Sequence, residues 1–200
     1  MNTLKYLIYT IVFLTTAASS YAQNYNNIEF VENKGQWDER IRYKGDVDNG
    51  SVFIRSTGFT ILQHNREDYA AIQAYMHDHN QEALASLRKG NAGITVRSHA
   101  YNVDFVGASA SMQVLADKSL PNYNNYIIGN DPSKWGSECR IFQGITLSEV
   151  YPNVDVRYYT YNGTLKYDII ARPGADIKKI ALKYEGADKL EVRNKELVVS

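Results

Sequence analysis

From residue 28 onward the chain is built largely on alternation of apolar and polar side chains. In residues 95–106, Tyr101, Val103 and Phe105 fall on one side and Asn102 and Asp104 on the other, the period of two that a half-buried strand requires. The same reading gives strands at 28–32, 41–45, 51–55, 59–63, 112–116, 138–142, 154–161, 164–171, 177–185, 189–193 and 196–199. Many short strands separated by turn residues predict an all-β, sandwich-like fold of antiparallel sheets. Asn162-Gly163 predicts a two-residue hairpin turn between 154–161 and 164–171, because both of its residues accept positive φ. Arg172-Pro173-Gly174-Ala175-Asp176 and Asn194-Lys195 predict further turns. Residues 66–89 break the pattern: they are rich in Ala, Gln, Glu and Leu, with Tyr69, Ile72, Tyr75 and Met76 at helical spacing and Gly90 as a stop. They predict one helical insertion, apolar toward the sheet at its start and solvated at its end. The alternation of Glu196-Leu197-Val198-Val199 runs up to Ser200, and a strand of that quality calls for a pairing partner. The expectation is therefore a domain truncated at its C-terminal end, with more of the protein beyond it.

The first 22 residues follow a different rule. Lys5 supplies a positive start, residues 6–16 an apolar run, and residues 17–22 a small-residue stretch ending in Ser20-Tyr21-Ala22. That is the plan of a cleavable secretory signal peptide. The run is shorter than the roughly 20 residues a membrane-spanning helix needs, and no later segment approaches that length. The reading is an exported chain with no transmembrane segment after cleavage, in which residues 23–200 form one β-rich domain. The only cysteine does not stand directly after the cleavage site, so no lipid attachment point is expected.

Composition narrows the function. The 22 basic and 22 acidic residues balance, which argues against nucleic acid or an anionic membrane surface as the main partner. The single cysteine, Cys139, cannot form an internal disulfide and reads as a small buried hydrophobe. The 16 tyrosines suit pleated, half-buried surfaces and also protein- or sugar-binding faces.

Several words recur in a telling order: Phe30-Val31-Glu32-Asn33-Lys34-Gly35-Gln36-Trp37, then Gly58-Phe59-Thr60, His99-Ala100-Tyr101 and Phe105-Val106-Gly107-Ala108. They continue with Asn125 to Trp135, Val150-Tyr151-Pro152-Asn153-Val154-Asp155, Leu165-Lys166-Tyr167-Asp168 and Pro173-Gly174-Ala175-Asp176. Together they resemble the uncharacterised N-terminal domain of large Bacteroidetes surface proteins. Those proteins continue into β-propeller-type repeats, immunoglobulin-like or PKD modules and a gliding-motility-associated C-terminal sorting domain. The resemblance implies export by the type IX route and a secreted or cell-surface location, without a catalytic activity to carry over. This chain lacks the repeats and the sorting domain, so if it ends at Ser200 the expected location becomes periplasmic.

Each candidate site in the sequence also has a plainer structural explanation. His77-Asp78-His79 holds metal-ligand side chains, but helical residues two apart do not share a face, so solvated helix surface is favoured over zinc. Asp46-Val47-Asp48-Asn49-Gly50 begins like a calcium loop, but it lacks the bidentate Glu that an EF-hand has at its twelfth position; a turn is favoured. Asp131, Asp155 and Asp168 could supply a glycosidase pair only if two faced each other across a cleft, and turn or strand roles account for them. No Gly-x-Ser-x-Gly elbow and no phosphate loop occurs. No catalytic residue, metal or cofactor is assigned. Of the aromatic group Tyr123, Tyr126, Trp135, Tyr151, Tyr158, Tyr159 and Tyr161, most are expected in the core. Tyr126, Trp135, Tyr159 and Tyr161 are kept as ligand-contact candidates, with Tyr159 and Tyr161 sharing one strand face. The reading is a non-enzymatic structural or adhesive module whose partners are other modules of the same longer chain or surface components. The alternatives are a carbohydrate-binding module using exposed Tyr and Trp, and less favoured, a glycan hydrolase.

Overall fold

The computed structural model describes residues 28–78, 94–161 and 164–200, together with Ala85 and Leu87. Among them ten strands join one antiparallel sheet: β1 (Phe30–Glu32), β2 (Ile41–Val47), β3 (Gly50–Arg55), β4 (Gly58–His64), β5 (Ser98–Phe105), β6 (Gln113–Tyr126), β7 (Gly136–Tyr151), β8 (Val154–Tyr161), β9 (Thr164–Ala171) and β10 (Leu182–Glu185). A separate hairpin follows, β11 (Leu190–Arg193) and β12 (Glu196–Val199). The all-β, sandwich-like fold expected from the alternation is the one found.

The sheet runs β10-β5-β4-β3-β2-β1-β7-β8-β9, with β6 also on β7. Strand β6 pairs with β7 from Tyr126 opposite Gly136 to Gln113 opposite Ser148. The other edge of β7 is therefore shared: β1 takes Ile141 and Phe142, and β8 takes the stretch from Gly144 to Tyr151. The long strand thus belongs to two walls, and the sheet curls into a half-barrel that closes its apolar faces on each other. Phe59 of β4 meets Tyr158 of β8 edge-on, with ring centroids 5.6 Å apart. Phe30, Val52, Ile54, Val103, Ile145, Leu147, Val154, Val156 and Tyr158 are fully excluded from water. Each such side chain contributes roughly 1.5–3 kcal/mol by leaving water.

Strands β6 and β7 extend well beyond the predicted 112–116 and 138–142. Pro121 and three asparagines hide the second half of β6 from pattern reading, and the ladder skips between Ser119 and Tyr123, where Pro121 lacks an N–H to give. The predicted strand 177–185 begins instead as a 3-10 turn, Ile177–Lys179, because the Asp176 side chain accepts the Lys178 N–H; pairing starts only at Leu182.

The helical insertion begins as expected, with α1 at Arg66–Asp78; the remainder of 66–89 lies outside the described residues, apart from Ala85 and Leu87. Asn65 caps it, its Oδ1 accepting the N–H groups of Glu67 and Asp68 at 3.1 Å each. Asp68 is buried and accepts three bonds from Arg97, which ties the start of the helix to the chain entering β5. No helix among the described residues is long and apolar enough to cross a membrane.

Candidate functional site

Two of the distinctive words of the sequence fold as locked loops. Asn33 Oδ1 accepts the N–H groups of Gly35 and Trp37, while its Nδ2 donates to the carbonyls of Trp37, Asp38 and Ile41. Gln36 Nε2 donates to the Glu32 carbonyl at 2.7 Å and to Cys139 Sγ at 3.3 Å. Cys139 is fully buried, and burial pushes its thiol up. The turn between β7 and β8 is held from three sides: Asp155 Oδ1 accepts the Glu149 N–H at 2.8 Å, Glu149 accepts the Asn153 N–H at 3.1 Å, and Arg172 bridges both carboxylates.

Two of the three candidate aspartates for glycoside chemistry are therefore engaged. Asp155 belongs to that turn, Asp131 caps the 3-10 turn Pro132–Lys134 by accepting from Ser133, and Asp168 stands in β9 opposite Arg157. Asp46 accepts from Ser51 Oγ at 2.8 Å and pairs with Lys44 Nζ at 2.7 Å within the β2–β3 hairpin. His79 lies outside the described residues, so the His77-Asp78-His79 group is not assembled here. Among the described residues, no three of His, Cys, Asp and Glu gather closely enough to hold a metal ion.

The aromatic candidates separate into two places. Tyr159 and Tyr161 share the outer face of β8, and Tyr161 is 61% exposed. Two rows cross the sheet here: Asp117, Gly144, Tyr159, Lys166 and Leu115, Thr146, Arg157, Asp168. Arg157 reaches diagonally to Asp117, at 2.9 Å, and lies 5.8 Å from the Tyr159 ring centroid. The Asp168 carboxylate raises the Tyr159 phenol above its ordinary pKa. A Cβ on Gly144 would sit 2.3 Å from Asp117 Oδ1 and 3.3 Å from Arg157 Nη2, so the missing side chain is what lets that ion pair lie flat on the sheet.

Tyr126 and Trp135 lie toward the other end of β7. Tyr126 pairs with Gly136, eight positions from the Gly144 that faces Tyr159, or about 26 Å of strand. Tyr126 packs edge-on against Trp37 at 5.2 Å, and Trp135 Nε1 donates to the Gly129 carbonyl at 3.3 Å. Tyr151 and Tyr158 are core residues, while Tyr123 is 55% exposed.

Along the sequence Arg157, Asp117, Lys166 and Asp168 do not stand out as one group with Tyr159. The signal was partly available: a two-residue loop at 162–163 sets Tyr161 opposite Thr164, and counting back gives Tyr159 opposite Lys166 and Arg157 opposite Asp168. Asn162 and Gly163 themselves lie outside the described residues. The face is charge-balanced, Asp117 and Asp168 standing with Arg157 and Lys166. A concave alternative, a cavity of about 310 Å³ lined by Asp38, Arg40, Phe53, Arg55, Thr60 and Asn102, is likewise neutral, since Arg40 pairs with Asp38 and Arg55 with Asp104.

No curated protein and no solved structure matches the chain. A family model described as a domain of unknown function, DUF7948, matches residues 30–200, from the first residue of β1 to the residue after β12, and the chain belongs to that family.

Proposed function

We propose that this domain is a non-enzymatic structural or adhesive module of an exported cell-surface protein, of the kind that heads large Bacteroidetes surface proteins sent out by the type IX route. The observation that carries the reading is the β11–β12 hairpin. Its register places Leu190 opposite Val199 and Val192 opposite Leu197, so one face is wholly apolar. Leu190, Val192 and Leu197 are 47%, 76% and 47% exposed. The reverse face carries Glu191 in ion pairs with Lys189 and Arg193. An isolated two-stranded hairpin is marginal in water, and an apolar face of this kind gains stability when a neighbouring module of the same exported protein packs on it. The non-enzymatic part rests on Asp131, held in a cap, and Asp155, held in a turn.

The test is a double substitution, Val192→Lys with Leu197→Lys, introduced in the protein's own host. The expected result is an unchanged melting temperature with loss of the protein's retention at the cell surface. Unchanged retention would overturn the proposal.

Carbohydrate recognition is the second reading, favoured by Tyr159 and Tyr161 lying side by side among Arg157, Lys166 and Asp168. It expects binding on a glycan array that Tyr161→Ala abolishes.

A further inference from the structure

We propose that β9 is a dimerisation edge, pairing antiparallel with β9 of a second copy of this chain about a twofold axis at Tyr167. This inference stands apart from the hairpin face that carries the proposed function. Strand β9 pairs with β8 on one side and ends the sheet on the other, leaving a row of backbone N–H and C=O groups available to a further strand. Its large apolar side chains are unusually open: Tyr167, Ile169 and Ile170 are 37%, 38% and 42% exposed. The wall it ends is also the shorter one. Beyond β7 it holds β8 and β9, whereas the facing wall runs from β1 through β2, β3, β4 and β5 to β10. At the far end of that facing wall Tyr101 and Tyr184 remain only half-buried. A second β9 would lengthen the short wall in their direction.

Charge selects both the occupant and the register. A twofold axis perpendicular to the sheet keeps outer face on outer face, so residues of like parity must pair. Centring on Lys166 or on Asp168 would set two like charges opposite each other. Centring on Tyr167 sets Lys166 opposite Asp168 of the second copy, twice over, with Leu165 opposite Ile169 on the inner face and Thr164 opposite Ile170 on the outer. Lys166 and Asp168 have no ion-pair partner among the described residues, the Arg157 opposite Asp168 being paired with Asp117. A single repeated charge along an edge keeps strands apart; opposite charges two residues apart are complementary only to their own reversed copy.

The experiment is sedimentation of the full chain across a concentration series, with Lys166→Asp and Asp168→Lys measured alone, mixed, and combined in one chain. The wild type is expected to dimerise. Each single reversal places like charges opposite each other twice and weakens the dimer by about tenfold. An equimolar mixture of the two single variants, and the double variant alone, regain wild-type association. Melting curves establish that each variant is folded, and hydrogen exchange gives a second readout on the unmodified chain, where β9 amides should gain protection as concentration rises. A wild type that stays monomeric into the millimolar range overturns the proposal. So do single reversals that associate unchanged, or a mixture that regains nothing. Protection of β9 that appears only when another exported protein is added would assign the edge to a foreign strand and overturn it as well.

Discussion

Tyr151 and Tyr158 are both buried in the main core, and their hydroxyls have opposite fates. The Tyr151 hydroxyl is shared between the carbonyls of Val106, at 2.9 Å, and Ala181, at 3.1 Å, and so pins β7 to the chain leaving β5 and the chain entering β10. The Tyr158 hydroxyl is buried with no hydrogen-bond partner among the described residues, and burial pushes its phenol far above the ordinary value. An unpaired buried polar group costs its full desolvation penalty, whereas a satisfied one is worth about 1 kcal/mol. Tyr158→Phe is therefore expected to raise the melting temperature by about 2–4 °C, and Tyr151→Phe to lower it by at least as much. Calorimetry on the two variants checks both signs. Glu32 offers a test in pH. Burial raises its carboxyl, but hydrogen bonds and charge from Arg140, with the Lys34 charge, hold it below its usual value of 4.5. A carboxylate whose pKa falls on folding adds stability that is complete above its unfolded pKa and is lost as pH drops through the folded one. Glu32→Gln should thus be less stable than wild type near neutrality, and the gap should close below about pH 4. A gap that persists into acid would show that the carboxylate's charge is not what stabilises the β1–β7 contact.

The turn joining β7 and β8 is the element on which most depends, because β8 reaches its register only if Glu149 and Asn153 hold positive φ of 57° and 61°. Non-glycine residues adopt that region only when their surroundings impose it, and here Arg172 does so by bridging Asp155 and Glu149. Arg172→Ala should cost about 1–2 kcal/mol, allowing for the partial exposure of the guanidinium. Arg172→Lys should recover only part of that, since an ammonium cannot fork to two carboxylates. Urea melts with an unchanged slope would locate the loss in the folded state. The same region shows what the sequence could and could not disclose. The β8–β9 hairpin was legible because alternation and Asn162-Gly163 agree locally. Val150-Tyr151-Pro152-Asn153 was legible as a distinctive word but not as a turn locked by Arg172, which is 17 residues from Asp155. The lengths of β6 and β7 were hidden because their partners supply what Pro121, Gly144 and several polar residues lack in strand propensity.

At the scale of the whole molecule, the curl of the sheet follows from β7 giving one edge to β6 and dividing the other between β1 and β8. No local pattern encodes that division. It depends on pairings such as Phe30 with Phe142, more than a hundred residues apart, and a separation of 40 residues hid the Asp117–Arg157 pair on the aromatic face. Parity alone had already placed Tyr159 and Tyr161 together; only the tertiary register could separate them from Tyr126 and Trp135. A strand shared by both walls cannot open without dismantling each of them, so the amides of Ile145 and Leu147 should exchange with solvent only through global unfolding, at about 5–15 kcal/mol. The β11–β12 hairpin packs its apolar face on no part of the described core and should open locally at a small fraction of that cost. Hydrogen exchange resolved by residue separates the two regimes. If the hairpin amides are as protected as those of β7 in the isolated chain, its apolar face is already covered from within, and the docking role argued for it loses its physical basis. If they exchange early and become protected only within the surface assembly, the free energy missing from the isolated hairpin is being supplied by a neighbour, as a docking module requires.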